Sequence, residues 1–317
     1  MSPRQYNIVS VGDLTVDLIM PVALPIPAAS SIEVPWHNVE PGGSCNFLIA
    51  GHRVAGDNAV VHATGPLGDD IYGREVIQLL HSEGIDADGI SIVPGSVSTV
   101  VLVLMEPNTG RFTYVWRGCK GDIVLPSETT RQIIDQADAL FMQGYTLVEP
   151  QMPPLLDYVF ASGRPIWFDV GPAITAAPEE LRERTRQHAH AILSTEEELP
   201  NITGGRTEQA AYDYLLSYGI KLLVIKRGGA GCRVVTPTER FDVPAFSVPI
   251  ADLVGAGDCF NATFIYASCL GLPLLQRAQL ANAGGAAKVQ KLGSGRSMPY
   301  RDEIQAVLHA NGLTIEF

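Results

Sequence analysis

Short apolar runs alternate with amphipathic stretches along most of the chain. This rhythm predicts a mostly parallel β-sheet with helices on both faces. Ile8–Val11 reads as the first strand, Ser44–Gly56 as a helix and Val60–Thr64 as the next strand. Ile71–Glu83 has helical spacing and stops at Gly84, a residue suited to a left-handed helix end. Further strands are expected at Ala139–Met142, Ile166–Val170, Ala191–Ser194 and Lys221–Lys226. Between them, Pro154–Ser162, Glu179–His190 and Glu208–Tyr218 read as helices. Three more helices are expected toward the end, at Asp258–Leu270, Leu274–Gln290 and Tyr300–Ala310.

Two segments break this rhythm. Leu14–Glu40 is proline-rich and extended, with no helical period. Ser98–Arg117 reads as a β-hairpin that turns at Pro107–Gly110. Their shared β character predicts a small second sheet. Its natural place is as a lid over the C-terminal edge of the main sheet, where α/β folds bind ligands. The expected division is an α/β body of residues 1–13, 41–96 and 119–317, with a discontinuous β lid of residues 14–40 and 97–118.

Length and charge narrow the picture. A chain of 317 residues can bury a large core. Its formal net charge of −12 argues against nonspecific nucleic-acid binding, though backbone dipoles can still hold an anion locally. No apolar run approaches the roughly 18 residues a membrane helix needs. The start, Met1 to Tyr6, runs straight into a strand and does not read as a signal peptide, so a cytoplasmic location is expected. Cys45, Cys119, Cys232, Cys259 and Cys269 form no C-x-x-C pair and read as small hydrophobes in a reducing compartment. His188 and His190 have ligand-like spacing but read as a polar helix face.

The strongest chemical signal is Asp252-Leu-Val-Gly-Ala-Gly-Asp258, followed at once by the apolar run Cys259–Leu270. A tight small-residue turn opens a helix, and helix starts attract anions through free N–H groups. Gly255 and Gly257 allow close backbone approach, and Asp258 falls in the first helical turn. A carboxylate beside an anion hole suggests phosphoryl transfer from a nucleotide to an alcohol. Taken alone, the same residues also suit an ordinary helix cap. The helix start is expected to lower the pKa of Asp258, leaving it a weak base that acts late in transfer.

Several further motifs stand in one order along the chain: Gly12-Asp13-Leu14-Thr15-Val16-Asp17, Pro41-Gly42-Gly43-Ser44-Cys45-Asn46, Gly65 to Gly73 as G-x-x-G-x-D-x-x-G, Lys226-Arg-Gly228-Gly-Ala-Gly231, and Met298-Pro299 before the final helix. Together with Asp252–Asp258, they resemble the ribokinase-like (PfkB) carbohydrate and nucleoside kinases over nearly the whole length. The family's usual Thr is Leu253 here, and the Asn of its N-x-x-E motif is Thr195.

The resemblance implies a Rossmann-like ribokinase fold, ATP as phosphoryl donor and Mg²⁺. It makes Asp258 the general base and the backbone of Gly255, Ala256 and Gly257 the anion hole. Asp13, Asp17, Gly42, Gly43 and Asn46 would face the substrate, and Asp13 could instead cap its turn. Lys226, Gly228, Gly231 and Asn282 would lie on the nucleotide side, where residues 226–236 also suit a plain hairpin. Glu198 would hold Mg²⁺ through water, although Thr195-x-x-Glu198 is equally a capping box. Asp252 and Gly293 match loop positions that bind a monovalent cation such as K⁺ in some relatives. Arg117 could pair with an anionic substrate or remain a solvated charge. A homodimer joined through the lid is expected.

The leading expectation is therefore a sugar kinase acting on a hydroxyl, with a primary one favoured. A nucleoside kinase and a catalytically silent relative that only binds are the alternatives. A nicotinamide oxidoreductase is excluded, because the first strand leads into Gly12-Asp-Leu-Thr-Val-Asp17 rather than G-x-G-x-x-G.

Overall fold

A computed structural model describes residues 4–22, 31, 33–106, 110–118 and 125–317. Cys119, most of the expected hairpin turn and part of the first lid segment lie outside the described residues. The strands, in chain order, are β1 (Tyr6–Val11), β2 (Leu14–Pro21), β3 (Asn38–Gly43), β4 (Ala59–Gly68), β5 (Asp86–Val93), β6 (Thr99–Glu106), β7 (Gly110–Trp116), β8 (Ala139–Gln143), β9 (Ile166–Asp169), β10 (Ala189–Thr195), β11 (Leu222–Lys226), β12 (Cys232–Val235) and β13 (Arg240–Val243). The helices are α1 (Ser44–Ala55), α2 (Ile71–Ser82), α3 (Glu128–Asp135), α4 (Pro153–Ala161), α5 (Glu179–His188), α6 (Leu199–Thr203), α7 (Glu208–Leu216), α8 (Ala256–Cys269), α9 (Leu274–Val289) and α10 (Arg301–Ala310).

Nine described strands form one sheet in the order β13-β12-β11-β10-β9-β8-β1-β4-β5. Pairing is parallel from β11 through to β5, and only β12 and β13 add antiparallel. Both faces are covered, so the strand sequences are apolar at successive positions rather than alternating with polar ones. Ile8, Phe141 and Leu193 pack into one layer with Phe47, Phe264 and Ala281 of α1, α8 and α9. Val9, Leu140 and Ile192 point the other way, against Leu156, Val159 and Tyr212 of α4 and α7. The ring of Phe47 stacks on Phe141 at 3.8 Å, which fixes α1 over the centre of the sheet.

The chain starts in the middle of this sheet, fills β4 and β5 on one side, then crosses to β8 on the other. The strand order therefore reverses around β1, and the crevice beyond its C-terminal end is where such sheets bind ligands. A second sheet grows from that point, in the order β3-β2-β6-β7. β2 begins just after Gly12 and Asp13, which turn the corner at φ of 75° and 54°. A left-handed aspartate is uncommon and marks a strained bend held by its surroundings. β3 runs directly into α1, so the second sheet and the anchoring helix share one stretch of chain.

Several elements differ from the sequence pattern. β5, β13, α3 and α6 are additional to it. β5 and β13 lie at the two sheet edges and carry polar residues, while α3 (ETTRQIID) offers little apolar signal. The helix expected to reach His190 ends at His188 instead, because Ala189 turns extended and pairs with Ile166 of β9. Here sheet pairing overrides a helical period that continues on paper.

Candidate active site

The C-terminal ends of the central strands converge on the start of α8. Gly255 precedes that helix at φ 75°, a left-handed conformation natural to glycine. The Ala256 N–H bonds to Leu253 O and the Cys259 N–H to Gly255 O, at 3.3 and 2.9 Å. The N–H groups of Gly257 and Asp258 have no hydrogen bond among the described residues, the usual condition of a helix start. A Cβ on Gly257 would meet only Lys226 Nζ, at 3.6 Å, so this face is open to an incoming anion. These donors fit a phosphate.

Asp258 stands beside them. Its Oδ1 accepts from Gln143 Nε2 at 2.9 Å, and the Asn46 side chain also bonds to it. Asn46 Oδ1 in turn accepts from the Gly295 N–H at 2.8 Å. Asn46 thus holds the candidate base. Lys226 Nζ donates to Asp169 Oδ1 at 2.6 Å, which sets a cation near Asp258. Burial pushes the Asp258 carboxyl up to about 7; Asp169 adds to the shift, and Lys226, Gln143 and Asn46 oppose it. This corrects the expectation of a lowered pKa. Desolvation and the Asp169 charge outweigh the helix start. Burial alone would lower the pKa of Lys226, but Asp169, Glu198 and Asp258 together hold it above the ordinary lysine value.

A second acidic group lies at the bend into the second sheet. Asp13 is buried, and its carbonyl accepts from the Ser44 N–H at 2.8 Å. A Cβ on Gly43 would overlap that carbonyl, and a Cβ on Gly42 would overlap the Asp17 carboxylate. The di-glycine is therefore required by the close packing of Asp13 and Asp17, whatever approaches from outside. Thr15 Oγ1 donates to Asp17 Oδ1 at 3.3 Å. Burial drives the pKa of Asp13 well above the carboxylate range; Glu149, Asp258 and Asp17 add to this against Arg117. Arg117 Nη1 bonds to Glu149 Oε1 at 3.2 Å, and the side chains are 29% and 5% exposed. The guanidinium is therefore already paired within the chain.

The nucleotide-side candidates are held by structural contacts. Gly231, at φ 90°, lies so close to β13 that a Cβ would overlap Val243 O. Asn282 Nδ2 donates to Val243 O and Pro244 O at 3.1 and 3.0 Å, pinning the end of β13 to α9. Gly228 is open on its Cβ side. Thr195 and Glu198 form the reciprocal capping pair, with Thr195 N–H to Glu198 Oε2 at 3.0 Å and Glu198 N–H to Thr195 Oγ1 at 3.2 Å. Glu198 nonetheless reaches Lys226 and Tyr145 electrostatically. The Asp252 carboxylate accepts from Val254 N–H and Gly293 N–H at 3.0 and 2.9 Å.

Gln143, Asp169, Tyr145 and Glu149 join this cluster beyond those singled out in the sequence. Burial pushes the Tyr145 hydroxyl up to about 12, with Asp13, Asp258, Glu198 and Asp169 adding, so it sits among both acidic groups. A usable signal does exist in the chain. Gln143 and Asp169 are the polar residues that close the apolar strands ALFMQ and IWFD, at the strand ends where α/β sheets place chemistry.

An open helix start, a buried carboxylate held near neutrality and a lysine paired with Asp169 make a site suited to phosphoryl transfer on an α/β fold. The profile of the pfkB family carbohydrate kinases matches residues 5–301, and the chain belongs to that family. It is 27% identical over 328 residues to probable fructokinase-4 of Arabidopsis thaliana, covering 96% of this chain and 97% of that protein. It is 25% identical over 279 residues to 2-dehydro-3-deoxygluconokinase of Thermoproteus tenax, covering 85% of each. The structure of Arabidopsis thaliana ribokinase complexed with ribose and ATP superimposes with a TM-score of 0.81 at 22% identity, covering 97% of this chain and 99% of that one.

Proposed function

We propose that the protein transfers the γ-phosphoryl group of ATP to a hydroxyl, a primary one, of a small neutral sugar. The observation that carries this is Asp258, set in the first turn of α8 beside its own open N–H and that of Gly257. The carboxylate takes the hydroxyl proton as the new O–P bond forms. The two N–H groups meet the charge that redistributes on the transferring phosphoryl. Glu198 and Asp169 would hold hydrated Mg²⁺, which screens the phosphate charge. The second sheet, over the strand ends, acts as a lid that keeps water from the phosphoryl group.

The relatives leave a neutral sugar and a sugar acid as candidate acceptors. The Arg117–Glu149 pair favours the neutral one, since the Arg117 guanidinium is already spent on Glu149. Hydroxyl groups both donate to and accept from carboxyl groups, whereas an anionic acceptor would find the Arg117 charge already compensated. ADP release should be measured against neutral pentoses and hexoses, sugar acids, sugar phosphates and nucleosides. The expected kcat/KM is at least about tenfold higher for a neutral sugar, equivalent to about 1.4 kcal/mol. A sugar acid or nucleoside as best acceptor would overturn the choice. ATP binding without any turnover would favour a silent binder.

The edge strand β7 exposes Tyr114, Val115 and Trp116. An apolar sheet edge invites pairing, and a second copy of this chain is its proposed partner, in the cytoplasm. Light scattering should give a dimer that Trp116→Lys shifts toward monomer. A native monomer at all concentrations would refute the pairing.

A further inference from the structure

Lys288, in the last turn of α9, is wholly buried at 0% exposure. The other buried cations among the described residues have carboxylate partners: Arg53 pairs with Glu83, and Arg186 with Glu179 and Glu183. Lys288 has no carboxylate within ion-pair distance among the described residues. Its ammonium donates to the Lys291 carbonyl at 3.1 Å. Its Cε lies 3.6 Å from the Cβ position of Gly255, beside the Met298 side chain that packs closest to the turn opening α8.

Two loops meet beside this side chain. One is the 252–255 turn before α8, the other the 289–293 segment after α9. They are joined by the Ala251 and Asp252 N–H groups on Val289 O, at 2.7 and 3.1 Å, and by Gly293 N–H on Asp252. Burial lowers the Lys288 pKa below the ordinary lysine value, with Lys291 adding to this; Asp252 is the leading acid that opposes it. An ammonium is a compact point charge with three donors, satisfied by carbonyl and carboxylate oxygens. A monovalent metal ion uses the same oxygens. The residues therefore do not fit a second cation here: like charges would share one small, buried cage.

We infer that the Lys288 ammonium is the resident cation of this loop pair, and that the protein needs no K⁺. Lys288 is then a positioning residue. It holds the Gly255 turn, and through it the open N–H groups of Gly257 and Asp258. Independence of turnover from K⁺ rests on the kinase reading above, while occupancy of the cage does not, and the test separates them.

Thermal unfolding and ATP-dependent turnover are compared in KCl and in tetramethylammonium chloride of equal ionic strength. The native protein should melt at the same temperature in both salts and turn over at rates within about twofold. Lys288→Ala should melt lower and lose at least about tenfold in kcat without K⁺. Added K⁺ should raise its melting temperature by about 2–6 °C and restore turnover. A plain helix-capping role for Lys288 predicts no K⁺-specific rescue, and that result would overturn the inference. So would a native protein stabilised or activated by K⁺, which decides the matter even where the variant fails to fold. A native protein without turnover on any acceptor refutes the kinase reading, while its melting behaviour still tests the cage.

Discussion

Asp258→Asn should lower kcat about 10²–10⁴-fold, the range associated with a positioned general base. The amide keeps the shape and can still bond to Gln143, but it cannot take a proton. In the native protein kcat/KM should rise as pH passes through about 7, since burial and Asp169 hold the free carboxyl protonated below that point. The variant's residual rate should lack this rise. Stability should move the opposite way. The folded-state pKa is raised from 3.8 to about 7, so the fold binds the proton more tightly than the unfolded chain. Native stability therefore falls as pH climbs between those values. Asp258→Asn removes that loss, so its melting temperature relative to native should increase from pH 4 to pH 8. An unchanged rate, or a pH profile shared by both proteins, would remove Asp258 from the chemistry.

Lys226→Met should be the second most damaging change. Lys226 pairs with Asp169 and feels the charge of Glu198 and Asp258, with side-chain exposures of 12% and 11% for the Lys226–Asp169 pair. Removing one partner of a buried pair costs about 3–5 kcal/mol, because the other charge is left uncompensated. The loss should also raise the pKa of Asp258 further, since Lys226 is the leading group that lowers it. The pH–rate midpoint should therefore move to more alkaline values, and kcat should fall about 10²–10³-fold. Adding Asp169→Asn should recover stability, because no lone charge remains, but not activity. Recovery of both would reduce the lysine to a structural role. A midpoint left near 7 would mean that Lys226 does not act on Asp258.

The turn at 252–258 was legible in sequence because its signal is local: glycines, a carboxylate and an apolar helix in one stretch. The strands of the central sheet were legible for the same reason, as each is a continuous apolar run. Gln143 and Asp169 were visible only as polar strand ends; their importance comes from the order β9-β8-β1, which brings three distant strand ends together. The acidity of Asp258 was misjudged for a related reason. A helix start is visible locally, while burial beside Asp169 is created only by folding. Arg117 looked free to meet an anion until Glu149, which lies 32 residues on, took it. Lys288 sits in a helical pattern that carries no hint of its burial. The di-glycine was found, but its physical cause, the carboxylates of Asp13 and Asp17 packed against it, needed the antiparallel register of β2 and β3.

The most direct test of the account follows Mg-ATP and the best neutral sugar from the acceptor panel by ³¹P NMR, with native protein and Asp258→Asn matched for ATP binding. A sugar phosphate signal should grow with the native protein and be lost with the variant, with little free phosphate from either. Equal transfer by both proteins, or ATP hydrolysis without any sugar phosphate, would contradict the assignment of this site.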